Sequence, residues 1–198
     1  MNKVLVLIVE GDTELEFYRI LISNAQKKRI DKKSNDIKIE YINAGGIGGF
    51  KNIALRKFLK VVKPKYNNGE YEFVIALCRD TDVFEFSPKP PVNWTETEAA
   101  FKSNGAKKVI HIKAEHCIED WFLIDTDGIK SFLGLPKETK IPSGNGCKAV
   151  QSLFKKANKV YHKGKQCADL IEKLDIEKIA QSIRFQLDPL YKELGIQF

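Results

Sequence analysis

No apolar run in this 198-residue chain approaches the roughly 20 residues that a membrane-spanning helix needs, which excludes a helical membrane protein. The N-terminal candidate, Val4 to Val9, ends after six residues at Glu10. That is too short for a signal-peptide core, no small-residue cleavage site follows, and the expected location is the cytoplasm. Cysteine is scarce and scattered. Cys78, Cys117, Cys147 and Cys167 form no C-x-x-C pair, so thioredoxin-like redox chemistry and a zinc ribbon are not indicated. His116 beside Cys117 is only half a metal site, and neighbours in a chain point different ways. Internal repeats and low-complexity tracts are missing too. With 43% hydrophobic and 30% charged residues, the composition is that of a folded chain able to bury a core without metal or disulfide staples.

Charge is present in excess of one sign. The net charge is +7, and it is unevenly placed: residues 129–198 carry 13 basic against 7 acidic residues, whereas residues 1–128 carry 20 against 19. Lys148, Lys155, Lys156, Lys159, Lys163 and Lys165, with Tyr161 and His162 among them, form either a phosphate-tracking strip or a solvated lysine face.

The apolar pattern predicts an α/β chain. Val4 to Val9 reads as a strand buried on both faces, followed by a helix from Asp12 to about Lys27, with Lys28 and Arg29 beyond its end. Ile37 to Ile42 alternates and predicts a strand near an edge. Gly45, Gly46, Gly48 and Gly49 turn the chain into a helix from about Phe50 to Val62, which Pro64 stops. Phe73 to Cys78 is a third strand, Ser87 to Pro91 a loop, Thr95 to Ser103 a helix, and Val109 to Ile112 a fourth strand. Helix signals resume after Glu115 through Trp121, then at Ile129 to Leu133, Lys148 to Val160, Gln166 to Leu174 and Ile176 to Leu194. The expected architecture is a doubly wound, mostly parallel four-stranded sheet with helices on both faces, covering residues 1–128. A basic helical extension, residues 129–198, packs on it.

Carboxylates gather where such sheets bind ligands, beyond the carboxyl ends of the strands. Glu10 follows the first strand, with Asp12 and Glu14 on the next turn, and Asp80 and Asp82 follow the third. Period-two alternation sets Asp80 and Asp82 to one side, and adjacent central strands bring Glu10 near them. Unpaired carboxylates at such a spacing repel and resist ionisation. A hard divalent cation, Mg²⁺ or Mn²⁺, resolves that conflict; helix capping and pairing with Arg79 or nearby lysines is the alternative. The glycine cluster reads as a tight turn or a phosphate cradle at a helix N-terminus, but it lacks the Gly-Lys-Ser/Thr ending of a P-loop. Trp121 and Phe122 read as core.

Val9-Glu10-Gly11-Asp12-Thr13-Glu14 after a buried strand, with Asp80-Thr81-Asp82 after a later one, resembles the toprim domain, and most closely its OLD-like nuclease branch. Asn43-Ala44-Gly45-Gly46 is similar to a glycine turn found there. The resemblance spans about residues 1–112. The remainder, through Glu119 to Asp125, Tyr161-His162-Lys163 and residues 175–185, is similar to small bacterial toprim-like proteins suspected of phage-defence roles. The resemblance implies a Mg²⁺-dependent nuclease acting on DNA or RNA in phage defence or DNA repair. It assigns Glu10 to acid/base or metal-linked chemistry, Asp80, Asp82 and Glu14 to metal positions, and Glu119 to a further acidic position. A lysine of the second half, Lys148 or Lys163, would neutralise the phosphate. The chain carries no ATPase segment, no topoisomerase tyrosine setting and no primase zinc module, so a separate ATPase partner is implied for any OLD-like assembly. Two rival readings are a non-catalytic binding module and a receiver-like domain. The latter lacks the acidic pair after the first strand, since Glu10 is followed by Gly11.

Overall fold

The computed structural model describes residues 2–27, 37–66, 69–81 and 92–196, with the side chains of Lys165 and Gln166 excepted. The acidic Asp82, the basic pair Lys28 and Arg29, and the proline-rich stretch at 87–91 lie outside the described residues.

Four strands form one all-parallel sheet in the order β2-β1-β3-β4: β1 (Asn2–Val9), β2 (Ile37–Asn43), β3 (Tyr71–Asp80) and β4 (Ala106–Ala114). The continuous β-branched runs occupy the two central strands, buried on both faces, while the alternating β2 is an edge. Parallel pairing requires a long crossover, and each one here carries a described helix. Helix α1 (Asp12–Lys27) links β1 to β2. Between β2 and β3 a helical stretch spans residues 50–62, in which α2 (Leu55–Lys57) is flanked by π turns Phe50–Ala54 and Phe58–Val62. Helix α3 (Trp94–Ser103) precedes β4.

Alternation along the strands builds two cores. Val4, Val6, Ile8, Phe73, Ile75 and Leu77 pack with Phe50, Phe58 and Phe101 on one face. Leu5, Leu7, Val9, Val74, Ala76 and Cys78 face the other side, against Phe17, Tyr18 and Leu21 of α1. This second core continues without a break into the C-terminal helices: α4 (Ile118–Phe122), α5 (Thr126–Leu133), α6 (Gly146–Lys156), α7 (Ala168–Lys173), α8 (Ile176–Ser182) and α9 (Arg184–Leu194). Trp121 and Phe122 lie in it, tilted against the Phe17 ring.

Two helical expectations need correction. The helix expected over Lys148 to Val160 ends at Lys156. Asn158 turns left-handed (φ 54°), and the Lys159 N–H returns to the Phe154 carbonyl at 2.9 Å, a Schellman-type stop. Lys159 therefore leaves the helix face and sits 5.5 Å from the centroid of the Phe132 ring. The helix expected over Ile176 to Leu194 breaks at Ile183 (φ −104°, ψ 24°), itself buried. The break lets Ile179 and Leu187 both reach the same core.

Candidate functional site at the carboxyl edge of the sheet

Three strand ends bring acids to one edge of the sheet. Glu10 follows β1, Asp80 ends β3, and Glu119 stands on the first turn of α4, just after β4. The β3 and β4 ends are strapped together. Thr81 N–H donates to the His116 carbonyl at 3.0 Å, and His116 N–H donates to Thr81 Oγ1 at 2.9 Å. His116 holds φ at 61°, a left-handed conformation that a residue with a Cβ adopts at a cost. Thr81 thus works as a strap between the acidic positions, and Cys117 leads straight into α4. The Asp120 carboxylate accepts from the Cys117 backbone N–H at 3.3 Å, which starts that helix.

The two turns on the β1 side are also tied. Asn43 Nδ2 donates to Asp12 Oδ1 at 2.6 Å, its Oδ1 accepts from Gly45 N–H, and Gly46 N–H donates to the Glu10 carbonyl. Gly45 and Gly46 adopt positive φ, and a Cβ on Gly49 would overlap the Ala44 carbonyl. The glycine cluster is a tight turn packed beside Glu10.

Groups from distant parts of the chain converge on one buried carboxylate. Glu119 is completely buried. Its Oε1 accepts from the Tyr161 hydroxyl at 3.1 Å and pairs with Lys163 Nζ at 3.1 Å, while its Oε2 is buried with no hydrogen-bond partner. Glu14, on the first turn of α1, is also buried, and Gly11 leaves room for it: a Cβ there would stand 3.1 Å from Glu14 Oε2. Burial, then the negative charge of Glu119, push the Glu14 carboxyl above its ordinary range; its own turn's N–H groups and Lys163 partly offset them. Burial works against the charge on Lys163, but Glu119 and Glu14 outweigh it and hold the ammonium protonated. Tyr161 and Tyr18 are pushed up by burial and by these carboxylates: Glu119 at Tyr161, Asp80 and Glu14 at Tyr18. The 161–164 segment is anchored where Gly164 N–H donates to Thr13 Oγ1 at 2.7 Å.

Of the residues singled out in the sequence, Glu14, Glu119 and Lys163 form one electrostatic unit, with Asp80 sharing the Tyr18 environment. Glu10 sits at the head of the turn between β1 and α1, its carbonyl accepting from Gly46 N–H. Lys148 is exposed on the first turn of α6, and among the described residues its side chain makes no ion pair. Pairing of Arg79 with the strand-end acids does not occur among the described residues, because alternation turns it to the opposite face from Asp80.

Tyr161 is the site residue that sequence reasoning misses. In the sequence it is one member of a lysine strip, yet in the fold it is a direct partner of Glu119. Its signal is its place beside Lys163, an aromatic hydroxyl in a charged segment with no apolar periodicity of its own.

For a divalent cation, the donor chemistry fits: all the candidates are hard oxygens, and Glu119 Oε2 is a buried acceptor with no hydrogen-bond partner. The described side chains do not themselves complete a group of three ligands around one point. No described helix is long and apolar enough to cross a membrane. A family model described as a domain of unknown function, DUF4276, matches residues 9–187. No curated protein and no solved structure matches the chain.

Proposed function

The chain belongs to the DUF4276 family, and we propose that it is a metal-dependent nuclease of toprim type, hydrolysing phosphodiester bonds in DNA or RNA. The observation that carries this reading is the burial of two carboxylates, Glu14 and Glu119, within electrostatic reach of each other at the carboxyl edge of a parallel sheet. Two such carboxylates raise each other's free energy unless cations stand among them. Lys163 supplies one positive charge. Glu14, Asp80, Asp82 and Glu119 would hold Mg²⁺ or Mn²⁺, with Glu10 at the same edge. Bound there, the ion would neutralise a phosphate and stabilise the leaving oxygen.

The chain's own contribution is preorganisation. Tyr161 keeps Glu119 Oε1 engaged, so that Oε2 is the open acceptor. Lys163, its side chain about half exposed (54%), presents an ammonium from the site to solvent, where a phosphate oxygen would arrive. Glu10, less buried than Glu14 as a residue although its Oε2 is enclosed, would serve as the acid/base group. Lys148, exposed on the adjoining helix, would contribute at most an approach charge.

The test is hydrolysis of labelled DNA and RNA with Mg²⁺ or Mn²⁺. Asp80→Ala and Glu119→Gln should each abolish cleavage, and cleavage unaffected by both would remove the site. A second reading, a non-catalytic module acting with nucleic acid or a separate ATPase, is favoured by one observation: Lys163 already serves as the cation of Glu119. Calorimetry with Mn²⁺ separates the two, because the module predicts no binding at millimolar metal.

A further inference from the structure

On the other face of the same strand ends, two cations lie side by side. Arg79 of β3 and Lys113 of β4 are direct register neighbours, and among the described residues neither makes an ion pair. Like charges opposite one another across a strand pair are destabilising. Arg79 is also buried, with 5% of its surface exposed. Its guanidinium carbon lies 3.7 Å from the centroid of the Trp94 ring, Nη1 meets His111 Nδ1 at 2.7 Å, and Nε has no hydrogen-bond partner.

Among the described residues no carboxylate compensates this charge. Glu98 lines the same groove, but it pairs with Lys102 at 2.6 Å and meets His111 Nε2 at 3.3 Å. A buried guanidinium without a counter-ion carries an uncompensated desolvation penalty. His111 does not supply the missing counter-charge: its Nδ1 accepts from Arg79 and its Nε2 donates to Glu98. These groups line an open groove of about 560 Å³ between α3 and the β3–β4 edge, and Trp94 Nε1 is a second buried donor beside it without a partner. The volume is far above that of one oxyanion and within the range of small-ligand sites, roughly 300–1,000 Å³.

We propose that this groove binds a phosphomonoester, its phosphate bridging Arg79 and Lys113. A dianion there supplies the missing counter-charge, takes the planar fork of Arg79 and separates the two cations electrostatically. The Trp94 face already carries Arg79, so recognition is by the phosphate and not by stacking of a base on that ring. The groove lies across the sheet from the carboxylates and is independent of the nuclease reading. A mononucleotide and the phosphorylated end of a nucleic-acid strand share the required chemistry.

The experiment is calorimetry on the full chain with inorganic phosphate, then AMP against adenosine, then a 5′-phosphorylated hexanucleotide against its 5′-hydroxyl form, all at one ionic strength. Saturable binding that requires the phosphate is expected, with the tighter of AMP and the phosphorylated strand identifying the source. Lys113→Gln, at an exposed position where folding should survive, should weaken binding about tenfold, and Arg79→Gln should weaken it about tenfold to a hundredfold. Phosphate should also raise the melting temperature of the unaltered chain more than chloride does. Equal affinity for phosphorylated and unphosphorylated ligands, or affinity unchanged in Lys113→Gln, would overturn the proposal.

Discussion

Glu14 is the residue whose environment makes the sharpest claim. Its folded-state carboxyl titrates above the ordinary value of 4.5, chiefly because burial disfavours the charged form. The folded chain therefore holds this proton more tightly than the unfolded chain does. The stability associated with protonated Glu14 is complete below about pH 4.5 and is lost as pH rises through the folded-state value. Glu14→Gln should accordingly melt higher than the unaltered chain at pH 8 and converge with it at pH 4. The gap should widen steadily between those two pH values. A gap independent of pH in thermal melts would show that Glu14 is not held in this way. Tyr161 makes a complementary claim: its hydroxyl bonds a buried carboxylate, so Tyr161→Phe should lower stability by about 1.5–3 kcal/mol. Urea titration reads that decrease directly, and an unchanged midpoint would separate Tyr161 from Glu119.

Elements place these residues by close approach. The α6 N-terminus reaches the site because Gly146 lies against the backbone of Glu119 and Asp120, where a Cβ would overlap the Asp120 N–H. Gly146→Ala should push α6 off α4, cost about 1–3 kcal/mol as overpacking does, and weaken Mn²⁺ binding by displacing Glu119. Gly48→Ala is the control. A Cβ there meets nothing within 4 Å and the backbone φ is not positive, so its melting temperature should be unchanged. Equal effects of the two substitutions would mean that the close approach is not what holds α4. The strap between Thr81 and His116 works on the same scale, joining two strand ends through one left-handed residue.

At the scale of the molecule, the C-terminal helices are part of the core. Ile129, Val150, Leu153, Ile171, Ile179, Leu187 and Leu190 are fully buried in the same apolar cluster as Leu5, Leu7 and Val9. Burying each such side chain stabilises by about 1.5–3 kcal/mol, so a chain ending at Gly128 would expose a continuous apolar face. That truncation should not fold cooperatively, which circular dichroism during a melt would show; a sigmoidal transition would indicate an independent N-terminal unit. The lysine-rich surface belongs to the same scale. Lys155 and Lys156 are exposed at the end of α6. If they neutralise nucleic-acid phosphates, replacing both with Glu should flatten the salt dependence of binding by roughly one log unit of slope for each phosphate no longer neutralised. An unchanged slope would leave them as a solvated face.

Local rules are enough for much of this. Uninterrupted β-branched runs identify β1 and β3 as central strands, and alternation marks β2 as an edge, because burial on two faces or one dictates those patterns. The fold class and the placing of Glu10 and Asp80 at strand ends follow from that alone. Helix ends are less legible: Asn158 takes the left-handed stop that asparagine tolerates, a local cue easily overlooked, whereas Ile183 breaks the helix inside the buried core, where no local spacing marks it. The convergence of Glu14, Glu119, Tyr161 and Lys163, from positions up to 149 residues apart, was decided only in three dimensions. So was the meeting of Arg79 with Trp94 and His111, although alternation along β3 already sets it on the opposite face from Asp80. Pairwise electrostatics depends on distance through space, and a linear pattern records only which charges exist and which face of an element they share.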